Sequence, residues 1–248
     1  MQADKKMRVT DAAIRKIAGN PSSIVELLRE SADPAYRQFH SKLIPTVDPS
    51  KVLGVRVPVL RRLAQSLRRQ APGLIADFLC QLPHETYDED MLHAILVNEE
   101  RDYDACVEKL DAFLPFVDNW AVCDAISPKA FASRPEGLLS CVQGWMASEQ
   151  PYTVRFGIGV LMRRYLDDGF HPGCIELVSK IRSDEYYVRM MVAWYMATAL
   201  AKQWDAAIPY LEQRLLGPWE RAKSIQKAIE SSRVSSERKD YLRSLRTR

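Results

Sequence analysis

Apolar residues along this chain recur at three- and four-residue steps. Val154, Ile158, Leu161 and Tyr165 fall at i, i+4, i+7 and i+11, and Val188, Val192, Tyr195 and Ala199 repeat those steps. Such a period puts each set on one face of an α-helix, with the polar residues opposite. No run of four or more residues alternates apolar with polar between hairpin turns, so strands are not expected. Prolines act as punctuation in "LPHE", "SPKA", "FHPG" and "GPWE", because a proline fits the first turn of a helix and interrupts its interior. The predicted fold class is all-α.

The helical pattern repeats on a longer scale. "YTVRFGIGVLMRRYL" begins at Tyr152 and "YYVRMMVAWYMATAL" at Tyr186, 34 residues on, which aligns Tyr with Tyr, Val with Val and Arg155 with Arg189. "RAKSIQKAIES" begins at Arg221, 32 residues beyond Arg189, and "YDEDMLHAILVNEE" and "VDNWAVCDAIS" keep a similar rhythm upstream. A period near 34 with two helices per unit signals a helical solenoid, whose repeats bury their apolar faces only against neighbours. The Trp-Leu-Gly-Tyr pattern of tetratricopeptide repeats is absent, and HEAT-like repeats fit better. The expectation is therefore an α-α superhelix of HEAT-like repeats with a concave groove, toward which Arg155 and Arg189 point from beside the apolar stripe. Residues 22–248 read as one domain of such repeats behind an N-terminal extension, residues 1–21. The extension contains one short helical pattern, "TDAAIRKIAG", with Thr10 and Gly19 as candidate caps. "SSERKDYLRSLRTR" predicts a closing helix with Ser236 as its N-cap and cations at its C-terminal end.

Composition changes this picture little. Of 248 residues, 47% are hydrophobic and 27% charged, enough for a buried core. No apolar run approaches the roughly 20 residues of a membrane span, and the opening residues lack the apolar stretch of a secretory signal. Cys80, Cys106, Cys123, Cys141 and Cys174 form no C-x-x-C pair and read as reduced core thiols. His40, His84, His93 and His171 have no metal-ligand spacing. No metal, cofactor or membrane partner is expected, and a cytoplasmic monomer is. The carboxylates around Asp88 and Asp102 read as solvated surface, and Trp145, Trp204 and Trp219 as packing residues.

A net charge of +3 identifies no partner. The placement of the 35 Lys and Arg matters more, since a basic face attracts phosphates even on a nearly neutral protein. The Arg doublets at 61–62, 68–69 and 163–164 are read first as solvated helix faces and second as tracks for phosphate oxygens.

"VDNWAVCDAISPK" (117–129) sets Trp120 and Asp124 four residues apart, hence on one helix face. Aspartate gains little inside a helix, so the pair asks for another explanation. This segment, with "YTVRFGIGVLMRRYL", "YYVRMMVAWYMATALAK", the earlier "FHSKLIPTVDPSKVLGVRVPVLRRLA" and the later "SIQKAIES", resembles the AlkD-like family of bacterial DNA alkylation repair proteins. The likeness runs in order from about Tyr36 to Ser231. It implies HEAT-like repeat DNA glycosylases acting on cationic N3- and N7-alkylated purines in double-stranded DNA. Under that resemblance Asp124 matches the catalytic aspartate, Trp120 the tryptophan one turn before it, Arg155 the arginine of the following inner helix and Trp194 a second groove tryptophan. Arg189 joins the DNA-binding candidates, although a salt-bridged repeat position is its preferred reading. Two departures stand out. Asn119 precedes Trp120 where the family pattern has another aromatic, and Phe39 stands at about the place of a family tyrosine. A non-catalytic DNA-binding relative and a HEAT-type protein scaffold are the alternatives.

Overall fold

The computed structural model describes residues 22–246. The helical pattern at Thr10–Gly19 lies outside these residues. Among the described residues every regular element is helical, as the periodicity predicts. Two compact units are present, one ending at Glu136 and one beginning at Gly137.

In the first unit, α1 (Ser22–Glu30) and α2 (Pro34–His40) precede α3 (Val57–Gln70), α4 (Pro72–Cys80), α5 (Tyr87–Asn98), α6 (Tyr103–Phe113) and α7 (Trp120–Ala125). Helix α3 packs on α5 and α5 on α7, which makes a row, while α4 and α6 pack on α3 and α5. Leu60, Leu63, Leu67, Leu92 and Val122 are fully enclosed in this packing.

The second unit contains α8 (Pro135–Met146, its first two residues in the preceding unit), α9 (Pro151–Arg164), α10 (Gly173–Ser179), α11 (Tyr186–Lys202), α12 (Trp204–Glu212), α13 (Pro218–Glu230) and α14 (Ser236–Arg246). Helices α9, α11 and α13 form a row, and α10, α12 and α14 pack beside it. This is the packing the 34-residue echo predicts: the two halves of the echo are neighbours, α9 and α11. Proline opens α2, α4, α8, α9 and α13, where the missing N–H would have had no intrahelical partner. The closing helix is capped one residue earlier than expected, since Ser235 Oγ accepts from the Arg238 N–H at 3.3 Å.

The acidic run at 87–90 departs most from its sequence reading. Asp88 is fully buried, not solvated. Its carboxylate accepts from the N–H groups of Leu53 (2.6 Å), Gly54 (3.3 Å) and Val55 (2.6 Å) and so fastens the strap leading into α3. Burial raises the Asp88 pKa against the opposing pull of those three donors. Gly54 adopts φ +90, and a Cβ there would come within 2.8 Å of the Asp33 carbonyl and 2.7 Å of Arg37 Cβ, so only glycine fits the strap. Glu89 is buried as well, closing a capping box with Thr86 at the start of α5. Asp102 N-caps α6 by accepting from the Ala105 N–H. Of the cysteines, Cys106, Cys123 and Cys174 are core thiols as expected, Cys141 is half-buried and Cys80 is exposed.

Two histidines are built into the first core. His84 Nε2 lies 2.9 Å from His93 Nδ1, with His84 stacked on Phe78 and His93 on Phe113. Burial pushes His84 down to about 4 and His93 lower still, so both rings are neutral at pH 7. Unfolded histidine titrates near ~6.5. The folded values lie below that, so the pair's contribution is complete above pH 6.5 and is lost as pH falls from there toward 4. The midpoint of thermal unfolding should therefore drop between pH 7 and pH 4.5. His93→Phe, which keeps the stacking, should reduce that drop, and an equal drop in the variant would mean that other groups cause it.

Candidate functional site

Helix α7 has six residues, too few to be stable alone. Side chains hold both of its ends. At the start, Asn119 is buried and its Oδ1 accepts from the Val122 N–H at 2.9 Å, while its Nδ2 donates to Asp118 Oδ1. At the end, Asn98 of α5 donates to the Ala125 carbonyl at 2.7 Å and accepts from the Ser127 N–H at 2.6 Å. Asn119, which stands where an aromatic was expected, is thus the N-cap of the helix carrying Trp120 and Asp124.

Trp120 is half-buried, and its Nε1–H donates to the Leu43 carbonyl at 2.9 Å, which fixes the plane of the indole. Asp124 is half-buried one turn further along α7, on the same face by helical spacing. Both residues lie in the one short helix, as the spacing predicts. Phe39, on α2, is 60% exposed.

Trp120 also lines a cleft of about 930 Å³ within the first unit, formed by the row α3, α5 and α7. From α3 come Val57, Arg61, Ala64, Gln65, Arg68 and Arg69; from α5 and its C-cap, Tyr87, Met91, Ile95, Asn98 and Glu99; from α7 and beyond, Ala121, Ala125, Ser127 and Lys129. Four cations face one carboxylate, Glu99, which pairs with Lys129 at 2.6 Å and with Arg68 at 3.8 Å. Tyr87 and His40 also line it and share a 2.8 Å Oη–Nε2 hydrogen bond. Burial lowers the His40 pKa and raises that of Tyr87. Also on α5, the Asp90 pKa is pushed up to about 8, by burial first and then by Asp118 and Glu89, so it is mostly uncharged at pH 7. The cleft pairs an apolar and aromatic floor with a cationic wall, a combination suited to an anion that carries a ring. The doublets at 61–62 and 68–69 hinted at it, but only their assembly with α5 and α7 makes a site.

Arg155, Arg189 and Trp194 lie in the second unit. Arg155, on α9, is buried, and its Nη1 donates to the Tyr187 carbonyl on α11 at 2.8 Å. Arg189, on α11, pairs through Nε with Glu220 on α13 at 2.6 Å and lies over the Trp219 ring at 4.5 Å. Both members of the repeated arginine position therefore tie one helix of the row to the next, which is the preferred sequence reading of Arg189. Trp194 is 44% exposed on α11 and is not a core residue. Trp145 is a core residue, and Trp204 packs under Arg238. Arg155→Ala should lower the unfolding free energy by about 2 kcal/mol, because it removes a charged donor from the half-buried Tyr187 carbonyl. Denaturant titration measures this, and an unchanged midpoint would dismiss the tie.

Among the described residues no cluster of three or more His, Cys, Asp or Glu has the makings of a metal site, and no helix is long and apolar enough to cross a membrane. No curated protein matches the chain. Residues 24–231, which span both units and contain α7, the cleft and the arginine row, match the model of a family described as DNA alkylation repair enzyme, and the chain belongs to that family.

Proposed function

We propose that this protein is an AlkD-like, monofunctional DNA glycosylase with HEAT-like repeats, which hydrolyses the N-glycosidic bond of cationic N3- and N7-alkylated purines in duplex DNA. One observation carries the reading: Asp124 lies one helical turn beyond Trp120 on α7, and the Trp120 indole is held in place beside a cationic cleft, in a chain of the DNA alkylation repair enzyme family. Alkylation at N3 or N7 makes the base cationic and weakens its bond to the sugar, so it leaves neutral and needs little general-acid help. Positive charge then gathers on the deoxyribose, as in other glycoside hydrolyses. Asp124 supplies a fixed negative charge beside that sugar and orients the attacking water. The Trp120 face favours the cationic nucleotide, an attraction of about 0.5–2 kcal/mol.

Trp194 is assigned the deoxyribose backbone, and Arg155 and Arg189 phosphates, in addition to their helix ties. A phosphate contact by Arg155 predicts that Arg155→Ala lowers the slope of log K against log salt by about 0.9. An unchanged slope leaves Arg155 as a tie alone. The bacterial cytoplasm is the proposed location.

The test of the reaction is incubation with duplex containing N7-methylguanine, followed by chromatography of the released base. Free N7-methylguanine, with the strand left intact until alkali treatment, is the expected result. Duplex binding without release would make the protein a DNA-structure reader, and neither binding nor release would leave a scaffold.

A further inference from the structure

We propose that His40 and Tyr87 are positioning residues for Trp120, fixing the plane in which its indole meets the cationic nucleotide. The proposal deepens the glycosylase reading and rests on it for the effect on the reaction, while the positioning itself belongs to the DNA-free protein. The chain of contacts begins at the indole, whose Nε1–H donates to the Leu43 carbonyl at 2.9 Å. Leu43 lies 77 residues before Trp120, so the indole is only as well placed as the segment that carries this carbonyl. Leu43 is 45% exposed, and its own side chain does little to anchor that segment. The anchor lies three residues back. The Leu43 N–H donates to the His40 carbonyl at 2.8 Å, and the buried His40 ring reaches α5, where Nε2 shares the 2.8 Å hydrogen bond with Tyr87 Oη. Ile44, on the other side of Leu43, is fully buried and resists withdrawal of the segment, but apolar burial is non-directional. The His40–Tyr87 hydrogen bond sets an angle as well as a distance.

The ring itself is clamped from two sides. It stacks on Tyr36 with centroids 5.2 Å apart, and its Nδ1 lies 3.4 Å from Tyr36 Oη, a longer contact than the one to Tyr87. A neutral imidazole carries one N–H and one bare nitrogen, so it serves one phenol as donor and the other as acceptor in a single orientation. Burial lowers the His40 pKa and so favours that neutral form. Tyr36 in turn lies under the Arg56 guanidinium, 4.9 Å from its ring centre, and Arg56 pairs with Asp33 at 2.9 Å. The end of α2 is thereby fastened to α5 through the imidazole and to α7 through the indole. A tryptophan side chain otherwise chooses among staggered rotamers, and a half-buried one on a six-residue helix has few neighbours to choose for it. Positioning of this kind is what an active side chain needs from the residues behind it.

The first measurement is water exchange at the indole N–H groups of isotope-labelled, DNA-free protein, with the Trp120 signal assigned by its loss in Trp120→Phe. His40→Ala and Tyr87→Phe should each speed exchange at Trp120 several-fold and leave the other indoles unchanged. His40→Gln, whose amide reaches the Nε2 position, should restore protection. Trp120 exchange as slow in His40→Ala and Tyr87→Phe as in wild type would overturn the proposal, and so would faster exchange at every indole alike, which is general loosening. Tyr87→Phe keeps the packing and decides the matter if His40→Ala does not fold. The second measurement is single-turnover release of N7-methylguanine at saturating protein. His40→Ala should slow it about fivefold, within the roughly two- to thirtyfold that an indole–cation attraction spans, with affinity for undamaged duplex unchanged. In a Trp120→Ala background, His40→Ala should slow release no further; an additive loss would mean that His40 acts other than through Trp120 and would overturn the proposal. A wild type that releases no base would dismiss the glycosylase reading, and the exchange rates would still decide whether His40 and Tyr87 hold the indole.

Discussion

Asp124→Asn should reduce the single-turnover rate of N7-methylguanine release by at least about a hundredfold, the loss typical when one preorganised electrostatic group is removed, while duplex affinity changes little. The substitution keeps the shape of the side chain and removes its charge. Two unit charges about 4 Å apart at an effective dielectric near 20 interact by about 4 kcal/mol, which corresponds to nearly a thousandfold in rate. That interaction exists only when the sugar has become positive, so it lowers the barrier without tightening the ground state. The fold should tolerate the change, because α7 is held by Asn119 at one end and Asn98 at the other, and neither contact uses the carboxylate. Quenched-flow release of base, alongside equilibrium binding at the same salt, separates the two quantities. Equal rates in the two proteins would remove Asp124 from the chemistry, and a parallel loss of binding and rate would make it a recognition residue.

What could be read from the sequence follows the range of the interactions involved. Periodicity is local, and it located α9 and α11 from Val154 to Ala199. The Tyr152–Tyr186 echo is a packing rule as well, because consecutive repeats have to present matching faces, and α9 does pack on α11. The arginine within that echo was legible as a repeated position, and at Arg189 as a salt-bridged one, yet its partners were not. Only the fold brings the Tyr187 carbonyl to Arg155 and Glu220 to Arg189.

Contacts between distant segments stayed hidden. Nothing in "YDED" distinguishes the carboxylate of Asp88 from its neighbours; its burial depends on a strap 33–35 residues upstream folding over it. Asn98 looks like an unremarkable helix end until Ala125 and Ser127, 27 and 29 residues later, meet its amide. The Trp120–Asp124 spacing was visible because four residues is one helical turn. The cleft beside Trp120 was not, because its walls come from three helices with α4 and α6 between them in the chain.

The largest loss of stability should come from Asp88→Ala. The substitution leaves the N–H groups of Leu53, Gly54 and Val55 without their acceptor in a site closed to solvent, and each unsatisfied buried donor costs about 1–3 kcal/mol. Relaxation of the strap and entry of water offset part of that sum, so about 4 kcal/mol is expected, at the upper end for single substitutions. In a protein of this size each kcal/mol moves the thermal midpoint by about 2–4 °C, which predicts a drop of about 10 °C by calorimetry at pH 7. Asp88→Asn retains one acceptor oxygen but points amide hydrogens at the donors, and should fall between the alanine variant and the wild type. The strap leads directly into α3, so the damage should extend to function. At a temperature where Asp88→Ala is still folded, its duplex affinity should fall through displacement of Arg61 and Arg68, while Arg155→Ala, which loosens the second unit, leaves that wall of the cleft in place. A midpoint within about 2 °C of wild type, under ~1 kcal/mol on the same conversion, would mean that water replaces the carboxylate and that the strap is held by its other contacts.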